Sequence, residues 1–103
     1  MAAPNILTAE EIDAALTSLS DWKRDGDVIA ASYALPSFRD ALAFLVRVGF
    51  EAEAMNHHPE IANVYNRVWF KLNTHDAGGA VTDRDIALAR QISGVARAFL
   101  DRR

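Results

Sequence analysis

Val68-Trp69-Phe70-Lys71-Leu72-Asn73 places Val68, Phe70 and Leu72 on one side and Trp69, Lys71 and Asn73 on the other. A period of two belongs to a strand, whose successive side chains point to opposite faces. The extended region around it runs from Ile61 to His75, and Asn66-Arg67 is the candidate turn that folds it into a hairpin. Upstream, Trp22 to Tyr33 contains Asp25-Gly26 between residues able to extend on both sides. Asp-Gly is a strong hairpin signal, because a tight turn of this kind needs positive φ. Two hairpins imply an antiparallel sheet.

Three helices surround these hairpins, each opened by a capping-box pattern: Thr8/Glu11, Ser37/Asp40 and Thr82/Asp85. Leu7 and Ile12 suit a hydrophobic staple on the first helix, and Ile12, Ala15, Leu16 and Leu19 form its apolar face. The last helix carries Leu88, Ile92, Val95 and Phe99 on one stripe, with Ile86 and Leu100 beside it. Ala77-Gly78-Gly79-Ala80 reads as the loop leading into it. The order is α-β-β-α-β-β-α, an α+β class with helices covering one face of the sheet. The middle helix, Phe38 to Met55, is unusually apolar around its girth. Positions 38, 41, 42, 45, 48, 49, 52 and 55 make one stripe, and Phe44, Val46 and Phe50 widen it to roughly 240° at the helical pitch. Either this helix is deeply buried in its own core, or its extra face meets another subunit.

At 103 residues, 50% hydrophobic and 24% charged, the chain is expected to form one domain over 1–103, with a core small enough to benefit from a partner subunit. A net charge of −3 argues against an electrostatic nucleic-acid binder. The absence of cysteine excludes disulfides, thiolate zinc sites and a cysteine nucleophile. No apolar run approaches a membrane span of about 20 residues. Met1-Ala2-Ala3-Pro4-Asn5 lacks the basic and apolar regions of a secretory signal, so the expected location is cytoplasmic.

Chemistry must then come from histidines, carboxylates or hydroxyls, and all three histidines, His57, His58 and His75, lie close in sequence. Histidine titrates near neutrality and serves as acid or base. His57 and His58 fall at the end of the middle helix, because Pro59 disfavours helical geometry at His58. His75 is expected at the end of a strand, and Glu53 lies one turn before His57, where it can orient that ring. Each histidine also has an ordinary reading as a surface or packed residue. Asp85 has one as a capping residue, Arg84 as a solvated first-turn residue, and Tyr65 and Trp69 as sheet packing. Glu53, His57, His58 and His75 are metal-ligand types, but adjacent histidines do not readily face one ion and no HExxH spacing is present. A serine hydrolase lacks its Gly-x-Ser-x-Gly elbow.

The series Glu53, Asn56-His57-His58-Pro59-Glu60, Asn63-Val64-Tyr65-Asn66, Thr74-His75 and Thr82-Asp83-Arg84-Asp85-Ile86 resembles the signature of the pterin-4a-carbinolamine dehydratases, and the early Trp22 and the chain length match as well. One departure is Asn56, where many members have Asp; without that carboxylate, Glu53 is left to orient His57. The resemblance implies a four-stranded antiparallel sheet with three helices on one side. It implies dehydration of a 4a-hydroxytetrahydropterin to the quinonoid dihydropterin and water, with neither metal nor cofactor. It makes His57 and His75 the proton-transfer candidates and gives His58 to positioning the pterin. Glu53, Asn56, Pro59, Tyr65, Arg84 and Asp85 become supporting residues, and Trp22 a weaker candidate for stacking. Members form homodimers through the sheet edge and homotetramers through the central helix. Some animal members also act as dimerisation cofactors of a homeodomain transcription factor, so a binding module is the alternative class.

Overall fold

A computed structural model describes residues 3–100. The elements run α1 (Ala9–Leu16), β1 (Trp22–Asp25), β2 (Val28–Ala34), α2 (Phe38–Ala54), β3 (Glu60–Val64), β4 (Arg67–Leu72), a 3-10 turn (His75–Ala77) and α3 (Asp83–Leu100). The four strands form one antiparallel sheet in the order β1-β2-β4-β3, as the two-hairpin reading requires.

Alternation in β4 decides which face is covered. Val68, Phe70 and Leu72 are buried, whereas Arg67, Trp69 and Lys71 are exposed. Register aligns them with Tyr33, Ala31 and Ile29 of β2, which are buried as well. Ala41, Phe44, Val48 and Ala52 of α2 and Leu88, Ile92 and Val95 of α3 close this core. Phe44 sits at its centre, edge-on to Tyr33 at 5.4 Å and to Phe70 at 5.7 Å between ring centroids. Such contacts stabilise aromatic pairs by about 0.5–1.5 kcal/mol beyond area burial.

Both turns lie one residue from where the sequence placed them. Asp25 pairs with Val28, so the first turn is Gly26-Asp27, with Gly26 at φ 60°. Val64 pairs with Arg67, so the second turn is Tyr65-Asn66, with Tyr65 at φ 52°. Asn63 holds this strained turn, donating from Nδ2 to the carbonyls of Tyr65 and Arg67. Tyr65 is therefore an exposed turn residue and not part of the sheet packing.

The apolar girth of α2 divides into two parts. Ala41, Phe44, Val48 and Ala52 face the core, while Phe38, Leu42, Val46 and Phe50 form an exposed row one turn apart. The first helix opens with a complete capping box: Thr8 Oγ1 accepts from Glu11 N at 3.1 Å, and Glu11 Oε1 accepts from Thr8 N at 2.8 Å.

Candidate active site

Three element ends converge on one corner of the molecule: the end of α2, the run after β4, and the start of α3. The α2 terminus sets the first histidine pair. Asn56 takes φ 50°, its N–H bonds the carbonyl of Glu53, and the His57 N–H bonds the carbonyl of Ala52, both at 3.0 Å. This is a Schellman cap with Asn56 in the left-handed position. Asparagine tolerates that conformation, which gives the Asn56 departure a conformational role. The reversal stops the helix and turns His57 inward, leaving His58 exposed.

The run after β4 is pinned as a small loop. Thr74 N donates to the carbonyl of Ala80 at 2.9 Å, and Gly79 N donates to that of Thr74 at 3.0 Å. Gly78 and Gly79 both have positive φ, which lets the chain close so tightly. His75 consequently opens the 3-10 turn, three residues past Leu72 at the end of β4, and not at the strand end expected from the sequence.

Asp85 is fully buried and makes three hydrogen bonds. Its Oδ1 meets His57 Nε2 at 2.5 Å; its Oδ2 accepts from Thr74 Oγ1 and from Thr82 N, both at 2.8 Å. The carboxylate that orients His57 is thus Asp85, and the expectation that Glu53 does so is corrected. Glu53 Oε1 instead meets His58 Nε2 at 2.8 Å in an exposed pair. The reason is the cap: beyond Met55 the chain no longer follows the helix, so a one-turn spacing does not carry Glu53 to His57. The Thr82/Asp85 pattern does its capping work as well, through Thr82 N and Asp85 Oδ2. Thr82 Oγ1 accepts from Arg84 N at 3.2 Å.

These groups border a cavity of about 270 Å³, near the lower end for small-molecule pockets. His57, His58, His75, Asn56 and Arg84 line it, so the corner brings all three histidines together. Asp85 lies behind His57. Pro59 and Tyr65 are not among the lining residues; Pro59 ends the cap and Tyr65 belongs to the β3–β4 turn. Trp22 is buried against Phe70, its Nε1 donating to Ser93 Oγ, and is a core residue away from the cavity. Sequence reasoning did not single out Asn73 and Asp76, which also line the cavity, and gave no role to the Thr74 side chain. The available signal for Thr74 was a hydroxyl directly before a candidate histidine, at the point where the strand alternation ends. Among the described residues, no group of three or more His, Asp or Glu is placed to hold a metal ion.

Acid–base chemistry on a small ligand is what this corner can do. His57 is held by a buried carboxylate, while His75 reaches the same space from a separate element. The fold and the site together define an α+β protein with a histidine cluster at the C-terminal end of its central helix. The family model for pterin 4 alpha carbinolamine dehydratase matches residues 5–95, and the chain belongs to that family. A relative from Opitutus terrae, named for pterin-4-alpha-carbinolamine dehydratase, is 50% identical over 92 residues, covering 89% of this chain and 95% of its own. Another so named, from Rhizorhabdus wittichii, is 48% identical and covers 87% and 94%. The crystal structure of a transcriptional coactivator/pterin dehydratase from Brucella melitensis superposes with a TM-score of 0.84 at 36% identity, covering 89% of this chain and 99% of that one.

Proposed function

We propose that the chain dehydrates a 4a-hydroxytetrahydropterin, of the tetrahydrobiopterin type, to the quinonoid dihydropterin and water, supporting tetrahydropterin recycling after aromatic amino acid hydroxylation. The observation that carries this reading is the meeting of His57, His58 and His75 on one cavity in a member of the dehydratase family. In the reaction, the C4a–O bond breaks, the N5–H proton leaves, and a C4a=N5 double bond forms. The departing hydroxyl takes up a proton and leaves as water. The N5 lone pair drives the expulsion, so the protein's task is to move two protons at two different atoms.

His57 and His75 suit that task because they stand on separate elements. Each such transfer contributes typically about 10²–10⁴-fold. His58, on the exposed side of the same corner and tethered by Glu53, positions the pterin. Arg84 and Asn56 contribute polar contacts at the rim. The reaction needs neither metal nor organic cofactor.

The protein works in the cytoplasm as a homodimer or homotetramer. The exposed row Phe38, Leu42, Val46 and Phe50 on α2 and the apolar residues Ile61 and Val64 on edge strand β3 are the surfaces that support assembly. Single-variant kinetics test the division of roles. His57→Ala and His75→Ala should lower kcat by two to four orders of magnitude, roughly the worth of acid–base catalysis. His58→Ala should mainly raise KM. A folded His75→Ala enzyme with unchanged kcat would remove His75 from the mechanism.

A further inference from the structure

We propose that Thr82, Thr74 and Asp85 form a hydrogen-bond relay of fixed direction that sets the tautomer of His57, with the proton on Nε2 and the lone pair of Nδ1 turned to the cavity. The tautomer stands on proton counting alone; naming Nδ1 as the proton-transfer atom rests on the dehydratase reading above.

The count begins at the Asp85 carboxylate, which takes donors on both oxygens and has no hydrogen of its own to give. Its Oδ2 takes a hydrogen from the Thr74 hydroxyl at 2.8 Å and one from the Thr82 backbone N–H at 2.8 Å. A hydroxyl has one proton, and that of Thr74 is now committed. The contact of 2.7 Å between Thr74 Oγ1 and Thr82 Oγ1 must therefore be Thr82 donating to Thr74. Thr82 Oγ1, having given its proton, accepts from the Arg84 backbone N–H at 3.2 Å. The direction is thus set at the first turn of α3 and ends on the carboxylate. Thr74, Thr82 and Asp85 are 2%, 0% and 0% exposed, so bulk solvent does not compete for these bonds.

Oδ1 has one partner, His57 Nε2. With an acceptor-only oxygen facing it, Nε2 must carry the hydrogen. A neutral imidazole has one N–H, so Nδ1 then holds the lone pair. None of the described residues bonds Nδ1. Among those residues, no buried side-chain nitrogen or oxygen lacks a partner, so Nδ1 is not sealed in the interior and reaches the cavity that His57 lines. Thr74 and Thr82 are accordingly positioning residues, acting on the reaction through Asp85 and His57.

The experiment is ¹⁵N NMR of the full chain labelled in histidine, above the titration range of the rings, with the His57 signals assigned by their loss in His57→Gln. The wild type should show a protonated, pyrrole-type Nε2 and an unprotonated, pyridine-type Nδ1. The reverse pattern would overturn the relay, and this measurement needs no variant at Thr74. In Thr74→Val, which removes one of the two donors that hold Oδ2 and so frees the carboxylate to turn away from His57 Nε2, the two tautomers should mix, with kcat reduced roughly tenfold, the worth of one hydrogen bond, and KM little changed. Thr74→Ser should restore the wild-type pattern and rate. A folded Thr74→Val chain with wild-type nitrogen shifts would refute the role of Thr74. The spectra read the relay without turnover, so a missing dehydratase activity would count against the function alone, and inverted spectra against the relay alone.

Discussion

Replacing Asp85 by asparagine keeps the shape of the buried carboxylate and changes its proton inventory. The three donors converging on Asp85 are His57 Nε2, Thr74 Oγ1 and Thr82 N. An amide offers one accepting oxygen and one donating nitrogen. The oxygen belongs where two donors already point, at the Oδ2 position. Its NH₂ group then opposes the His57 Nε2–H, and donor meets donor. The ring escapes by moving its proton to Nδ1, which ties up the lone pair that faces the cavity. Losing one hydrogen bond to a charged group costs about 1.5–3 kcal/mol. At roughly 4–8 °C per kcal/mol for a domain of this size, Tm should fall by about 10 °C. The catalytic loss is larger: kcat should drop by about 10²–10⁴, equivalent to roughly 3–5 kcal/mol of barrier. Stopped-flow absorbance of quinonoid product, alongside circular dichroism and a thermal melt, measures both. A folded Asp85→Asn protein with kcat within a few-fold of wild type would refute the coupling of Asp85 to catalysis through His57.

Other outcomes follow from the core and the surface. Burial, and next to it the charge of Asp21, hold the Tyr33 phenol well above its ordinary value of 10.0. The folded state keeps this proton longer than the unfolded one, so the contribution is whole below about pH 10 and is lost above it at about 1.4 kcal/mol per pH unit. Denaturant titrations on either side of that pH should show a shallower alkaline loss in Tyr33→Phe; equal slopes would contradict this. On α2, Val46→Glu should give a folded but smaller assembly by light scattering, because Val46 is 59% exposed in the chain, whereas Phe44→Asp should unfold it, because Phe44 is fully buried. An undissociated oligomer of Val46→Glu would remove that helix face from the assembly. Extended treatment with a chelator should leave turnover unchanged; loss of activity restored by a metal ion would overturn the metal-free mechanism.

The sequence made the architecture legible where local chemistry and global fold agree. The period-two run in β4, the capping residues and the alternating hairpins each name their element without reference to the rest of the chain. The turns slipped by one residue because pairing register decides which residues sit at the bend. Asp25-Gly26 and Asn66-Arg67 carry the right chemistry, but Asp25 and Arg67 are already paired. The girth of α2 was legible as an excess of apolar residues, but not its division, since Phe44 and Phe50 look alike until the sheet is in place.

At the site, the histidines were visible from their spacing and chemistry, and their convergence required the fold. The partner of His57 was not legible from helical spacing. Glu53 is one turn away in sequence, but the left-handed Asn56 breaks the helix before His57, and Asp85 arrives from a helix that begins much later. Thr74 and Thr82 belong to the same class of residue. Their hydroxyls matter through a three-dimensional network, and along the chain each reads as a strand-end or capping threonine.

The most direct test is the dehydration of freshly generated 4a-hydroxytetrahydropterin, followed as quinonoid dihydropterin absorbance against an enzyme-free blank, because the uncatalysed reaction proceeds by itself. The account predicts a rate that rises in proportion to the wild-type protein and returns toward the blank when His57 and His75 are both replaced by alanine in a folded chain. A wild-type rate equal to the blank would contradict it.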